Sequence, residues 1–306
     1  MSSLNRFACL VLLCGSMAAA HADLSSGLVA WYPFDGNAKD VSGNHNNGRI
    51  LGGVQATADR YGNAGAAMLF DGVDGYISVQ DSPTLNPTKQ VTVAYWMRVD
   101  GFGAAWTPVV YKGDAAEVGG CNGGREYTFW LNSDQWAHIS SAGDAACAHG
   151  LVGKPFAMTG KWNHIVEVID RKKAHQMSIY VNGKLQAQAD DSYSSIYRSA
   201  EPLLIGWMSE NFDAAHFQGA LDDLRIWDRA LGKDEVSELY RSSLQVAGTA
   251  DGFKSLSVTC RNVTTSQTVT FASRDGVTSA WNCETEGLVV NAGDELRITL
   301  SGTAHE

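Results

Sequence analysis

Residues 176–186 read QMSIYVNGKLQ, and this stretch decides the fold class. Met177, Ile179 and Val181 recur every second residue, the period at which side chains of a strand return to one face. Asn182-Gly183 follows with two residues that tolerate positive φ, as a tight hairpin demands, so Lys184-Leu185-Gln186 is expected to run back alongside. The same texture extends in both directions. GLVAWYPFD from Gly27, VTVAYWMRVD from Val91, KWNHIVEVIDRK from Lys161 and GALDDLRIWD from Gly219 are short strand-like runs bounded by Gly, Asn, Asp or Pro. In the second of these, Val91, Val93, Tyr95, Met97 and Val99 alternate with Thr92, Ala94, Trp96 and Arg98. Many strands with little helical periodicity between them predict an antiparallel β-sandwich. One helix is expected, over Lys233–Tyr240. Val236, Leu239 and Tyr240 fall at helical spacing there, and Asp234 and Glu235 occupy the first turn where the helix dipole favours acids. It is expected to plug one edge of the sandwich.

The 306 residues are 44% hydrophobic and 18% charged, enough for a large packed domain and a smaller one. Residues 1–22 have the anatomy of a signal peptide: Arg6, an apolar run from Phe7 to Leu13, and the cleavage-like Ala20-His21-Ala22. A mature chain starting near Asp23 and a secreted or periplasmic location are expected. A lipid anchor at Cys14 is disfavoured by the bulky Leu13 before it. No later stretch is apolar for the length of a membrane span. Of the 23 basic residues Arg6 leaves with the signal, so 22 face 33 acids and the mature charge is −11, which argues against nucleic acid. Cys9 and Cys14 leave as well. Cys121, Cys147, Cys260 and Cys283 enter an oxidising compartment, where three connectivities are open and local pairing, Cys121 with Cys147 and Cys260 with Cys283, is preferred. The cysteine spacing does not suit zinc. Composition divides the mature chain into a sandwich over 23–244, a linker QVAGTADG at 245–252, and a small β unit at 253–306 stapled by the second bridge.

Two segments suggest a cation. Asp40–Gly48, DVSGNHNNG, repeats side-chain oxygens at Asp40, Ser42, Asn44 and Asn46, with Gly43 and Gly48 freeing the backbone. It reads either as a self-bonded surface turn or as part of a calcium site, which would need another acid from elsewhere. Alternation in the strand after Gly219 puts Asp222 on the inward face of Leu224 and Ile226. A carboxylate there must pair with a base, cap N–H groups at the rim, or bind a cation.

Catalytic patterns are missing. A retaining glycosidase needs two carboxylates about 5 to 5.5 Å apart, whereas Glu167-Val168-Ile169-Asp170 puts its acids on opposite strand faces. Glu167 is expected to be exposed. There is no G-x-S-x-G and no HExxH. Binding sugar asks for less: aromatic faces for C–H surfaces and polar partners for hydroxyls. Trp106, Tyr127, Trp130, Trp136, Tyr197, Trp207 and Phe212 supply rings. Trp106 and Trp136 stand out, beside Asn132, Asp134, Gln135 and His138 in the region 101–155. Trp31, Trp96, Trp162 and Trp227 sit within strands and are read as core.

The order GLVAWYPFDG, DVSGNHNNG, LFDGVDGYISV, MSIYVNGKL and GALDDLRIWDRALGKDEVSELY resembles the laminin-G-like jelly-roll family of the concanavalin A-like lectin/glucanase group, from about Gly27 to Tyr240. The resemblance implies a two-sheet jelly roll in which calcium ties the early loop to the last strand. Carried onto this chain, its ligands would be Asp40, Asn44 and Asp222, with Asn47 and Asp35 as further contributors. The segment 101–155 is longer than the family's usual hairpin region, and 253–306 has no counterpart. The expected function is a secreted, non-catalytic, calcium-stabilised module for a glycan or a surface partner. A polysaccharide hydrolase or lyase of the same fold group and a protein-binding adhesin are the alternatives.

Overall fold

A computed structural model describes residues 23–114, 117–118, 121–122, 124–143, 147–208, 216–243, 247–250, 253–272, 279–283, 288 and 295–304. The expected signal peptide 1–22, with Cys9 and Cys14, and Phe212 lie outside the described residues, as does the side chain of Cys121.

The strands in chain order are β1 (Leu28–Tyr32), β2 (Gly48–Leu51), β3 (Val54–Thr57), β4 (Ala67–Asp71), β5 (Tyr76–Val79), β6 (Gln90–Gly101) and β7 (Trp106–Gly113). A small ribbon, β8 (Glu117–Val118) and β9 (Cys121–Asn122), precedes β10 (Arg125–Asn132), β11 (Trp136–Ser141), β12 (His149–Val152), β13 (Trp162–Asp170), β14 (Gln176–Val181), β15 (Lys184–Asp190), β16 (Leu203–Ile205) and β17 (Gln218–Trp227). They form two antiparallel sheets. The eight-stranded sheet has the order β15-β14-β13-β6-β17-β4-β3, with β1 also on β17, and the seven-stranded sheet has the order β12-β11-β10-β7-β16-β5-β2. The fold is thus the all-β jelly-roll sandwich expected. Asn182 and Gly183, at φ 50° and 74°, make the predicted hairpin between β14 and β15. The predicted inward rows, Val91 to Val99 on β6 and Met177 to Val181 on β14, all lie in the core between the sheets.

The strand β17 departs from simple alternation. Asp222 pairs with Trp96, but Arg225 pairs with Ala94, so one extra residue has entered β17; Asp223 takes it up at φ 51°. Such a bulge reverses the phase of all that precedes it. Leu221, Leu224 and Ile226 therefore all face the core, and Asp222, expected inside with Leu224, is turned to the opposite, outer face. The bulge also falls at a seam. The far edge of β17 pairs with β4 through Gln218–Leu221 and with β1 from Leu224 onward, leaving Asp222 and Asp223 between two strand ends.

Helix α1 (Lys233–Ser242) does not plug an edge. It lies on the outer face of the eight-stranded sheet, where Val236 and Leu239 pack on Val166, Val168, Tyr180 and Trp227. Its start has Gly232 where a capping side chain would sit, and Glu235 Oε2 accepts the Gly232 N–H at 2.8 Å, giving half of a capping box. Trp96 and Trp227 are buried at 6% and 0% exposure, not in the core between the sheets but on this second, helix-covered layer. Trp31 and Trp162 are half-buried, under Arg225 and Arg98 respectively. These corrections share one cause, because β periodicity assigns a residue to a face without saying what covers it.

Glu167, expected on an exposed face, is fully buried in register with Val93 between Ile165 and Ile169, and the Tyr95 hydroxyl donates to it at 3.0 Å. Burial holds its proton far above the usual carboxyl range. The smaller C-terminal sheet is β20-β19-β22, from Thr268–Ala272, Phe253–Asn262 and Leu296–Ala304. The Cys260–Cys283 bridge is present and packs with Val258 and Leu288. Ala247–Ala250, inside the expected linker, is instead a strand, β18, paired with β21 (Ser279–Asn282).

Candidate functional site

The outer face of the seven-stranded sheet carries the aromatic residues picked out by the sequence. Along β11, Ala137 and Ile139 enter the core, so the alternate Trp136 and His138 project outward. Asn132 on β10 pairs with Trp136 on one side and with Trp106 of β7 on the other, bringing all four predicted ligand-binding residues to one corner. The Trp106 ring stands 5.6 Å from Trp136 at 68° and 5.1 Å from His138 at 57°. Trp106 is 37% exposed and Trp136 and His138 are half-buried, whereas Asn132 is 6% exposed. Asn132 is committed to the turn: its Oδ1 accepts the Asp134 N–H at 2.9 Å and its carbonyl accepts that of Gln135, which sits at φ 65°. Gln135 Oε1 in turn accepts the Met158 N–H. These bonds pin the turn that leads into Trp136.

His138 is neutral at pH 7. Burial and the nearby Arg125 push its imidazole down to about 4, and its Nδ1 is buried with no hydrogen-bond partner among the described residues. Gly150 on β12 makes room for it, since a Cβ there would stand 2.6 Å from Nε2. Further across the face Trp130 is buried, donates its indole N–H to Thr128 Oγ1 at 2.8 Å and lies under the Arg125 guanidinium at 5.0 Å. Beyond it Tyr76, Trp207 and His216 form a second half-buried group, with Trp207 and His216 stacked 5.2 Å apart at 3°. Tyr76 and His216 were missed from sequence; alternation with core-facing Ile77 and Val79 places Tyr76 on this face. Two other candidate rings are elsewhere: Tyr127 is in the core with its hydroxyl on the Leu85 carbonyl, and Tyr197 donates to Asp114 at 2.6 Å.

A buried charged group on β7 adjoins this face. Lys112 Nζ lies 2.8 Å from Asp81 and 3.4 Å from Glu126, with Lys112 and Glu126 fully buried. Burial pushes Glu126 up to about 7 against the pull of Lys112 and of the Ser199 N–H.

The residues proposed for calcium are arranged otherwise. Asp40 Oδ1 accepts the N–H groups of Trp31 and Ser42 at 2.9 and 2.8 Å, and Oδ2 that of Asn46 at 2.9 Å. Asn47 Oδ1 accepts the Asp40 N–H, and the Asn44 amide donates to the Leu28 carbonyl and to Ser42. The loop is the self-bonded turn of the two readings. Asp222 faces Arg60 instead, in a recess that it shares with Asp35 and not with Asp40. As arranged, these residues do not fit a calcium ion, and among the described residues no group of three or more His, Cys, Asp or Glu is placed to hold a metal.

Comparison with known proteins fixes the family. The sequence profile described as concanavalin A-like lectin/glucanases superfamily, in its laminin-G-like form, matches residues 71–237. The chain belongs to this family. The match begins after the Asp40 loop, so the loop is outside the part that identifies it. No curated protein matches the chain. Solved structures share the fold at low identity. The binding domain of Paraclostridial Mosquitocidal Protein 1 superposes with a TM-score of 0.58 at 16% identity, over 82% of this chain and 64% of that one. Domain 4 of AbnA, a GH43 extracellular arabinanase from Geobacillus stearothermophilus solved with arabinotriose, gives 0.52 at 20% over 70% and 98%. The binding domain of botulinum neurotoxin DC in complex with rat synaptotagmin II gives 0.54 at 13% over 76% and 57%. This laminin-G-like chain thus spans less than two thirds of the two toxin domains, and the likeness to all three is one of fold.

Proposed function

We propose that this laminin-G-like chain is a non-catalytic module that captures a glycan at the Trp106–Trp136–His138 corner of the seven-stranded sheet. The observation that carries this is the pinned, half-exposed ring cluster, since stacked C–H faces of a sugar need rings already in place and open to solvent. The arabinotriose complex of a domain with the same fold supports the same class of ligand. Burial raises three carboxyl groups to neutrality or above: Glu126 and Glu167 are sealed from solvent, and Asp222, pushed up to about 7, is taken up by Arg60, so none is offered to a glycosidic bond. Secretion belongs to the same proposal: Cys147 and the Cys260–Cys283 pair are oxidised, which suits an extracytoplasmic compartment. A glycan array tests the reading. Binding that is lost in Trp136→Ala is expected; an array without binding, or one unchanged by that substitution, refutes it, and turnover on a polysaccharide panel refutes the non-catalytic part.

A further inference from the structure

The seam in the eight-stranded sheet is where a cation is needed. Asp35, Asp59, Asp222 and Asp223 line one recess of about 170 Å³ beside the ends of β4 and β1. Four acids so close repel one another unless positive charge lies among them. That charge is already supplied by the chain. Arg60 Nη1 is paired with Asp222 Oδ2, Nη2 donates to the Ser243 carbonyl at the end of α1 at 3.3 Å, and the guanidinium lies 4.7 Å over Trp96. The neighbouring Tyr61 hydroxyl donates to the same Ser243 carbonyl. Asp223 is neutralised by Arg225 at 3.0 Å, and Asp59 accepts the Tyr61 and Asn63 N–H groups that shape the turn around Arg60.

We infer that Arg60 is the resident cation of this sandwich, clasping the last strand, the turn at 59–63 and the end of α1, so that the fold closes without calcium. A guanidinium suits the position. It is charged at every physiological pH and is planar, so it can stack on Trp96 while its edge donors reach Asp222 and Ser243 in two directions. A metal ion at Asp222 would have to displace a base that is 12% exposed at its side chain and held on three sides. At the other end of the family's expected bridge, the Asp40 oxygens already accept three N–H groups, two on Oδ1 and one on Oδ2.

Thermal unfolding of the purified chain tests this. The wild type is expected to melt at the same temperature, to within about 1 °C, in EDTA and in millimolar calcium, because an ion that binds only the native state must raise it. A melting point lowered by EDTA or raised by calcium overturns the inference, and this arm needs no variant to fold. Arg60→Met keeps the apolar stem and removes the charge; it is expected to lose roughly 10 °C, since removing one partner of a buried pair strands the other. Asp222→Asn preserves shape and reads the same contact with less damage. If either variant melts like the wild type, Arg60 is no clasp.

Discussion

Both outer faces of the sandwich carry tryptophans, and the chain treats them differently. On the eight-stranded sheet, Trp96 and Trp227 are floor for the chain's own later segment: α1 covers Trp227, and Tyr240, near its end, stacks 5.9 Å from Trp96. On the seven-stranded sheet, Trp106 remains 37% exposed and meets Trp136 and His138 along a turn held by Asn132 and Gln135. An outward tryptophan in a strand is therefore a surface awaiting an occupant. One face has its occupant built in; the other stays open at Trp106, the corner proposed above for a glycan.

Truncation on each face breaks the comparison most sharply. Trp227 is fully buried and its indole N–H donates to the Leu24 carbonyl at 2.8 Å. Trp227→Ala is expected to cost about 3 to 5 kcal/mol in urea unfolding, whereas Trp136→Ala should stay within about 1 kcal/mol and lose glycan binding instead. Similar losses of stability from the two substitutions would show that both rings serve the fold.

The next effect concerns the layer between the faces. Glu167 is protonated in the folded chain and ionises normally once unfolded. Above its ordinary value of 4.5 the unfolded chain releases a proton that the folded one keeps, so stability falls with rising pH by about 1.4 kcal/mol per unit until the folded pKa is reached. Glu167→Gln keeps an acceptor for Tyr95 and removes that slope. Its advantage over the wild type should be absent at pH 4 and grow toward pH 7, as measured by denaturant midpoints at each pH. An advantage independent of pH would mean that Glu167 is ionised in the core.

Much of the sandwich was legible because alternation is a sound guide along unbroken strands. The rows of β6 and β14 and the Asn182-Gly183 turn were all placed correctly by it. It failed at Asp222 because one inserted residue, Asp223, reversed the phase, and a bulge leaves little trace in a pattern that is still mostly apolar. Glu167 was misread for another reason. Hydropathy assigns an acid to solvent, and the compensating hydroxyl belongs to Tyr95, 72 residues away. Arg60 drew no notice at all, since nothing in ADRYGN marks its long-range partner, 162 residues on. The rings of the proposed corner drew attention because Trp106 and Trp136 fall in the long region 101–155, Trp136 beside Asp134, Gln135 and His138, whereas Tyr76 and His216 lie outside that region.

Smaller changes sharpen the open face. Gly150 lies against the His138 ring, so Gly150→Ala pushes the imidazole out of its place without touching Trp106 or Trp136. Because the ring tip has freedom to move, the cost to stability should be small, about 1 kcal/mol or less. Glycan affinity should fall several-fold in titration calorimetry if His138 helps form the platform. Unaltered affinity would confine the site to the two indoles.

The smallest expected effect is none, and it is informative. An exposed histidine at a sugar site would gain charge as pH falls from 8 to 5, with an ordinary pKa near 6.5. His138 has its pKa pushed down to about 4 by burial and by Arg125, so the folded protein keeps it neutral across that interval. Affinity for a neutral glycan should then be flat from pH 8 to pH 5 and change only as the solution approaches pH 4. The contribution of His138 to stability, in contrast, should already decline below about pH 6.5, because the unfolded chain binds a proton there that the folded His138 refuses; it runs against the Glu167 slope and is read as the difference between the wild type and a His138→Gln variant at each pH. A binding curve with a midpoint near 6.5 would place the ring in water and leave Trp106 and Trp136 as a platform without the third side that the packing gives them.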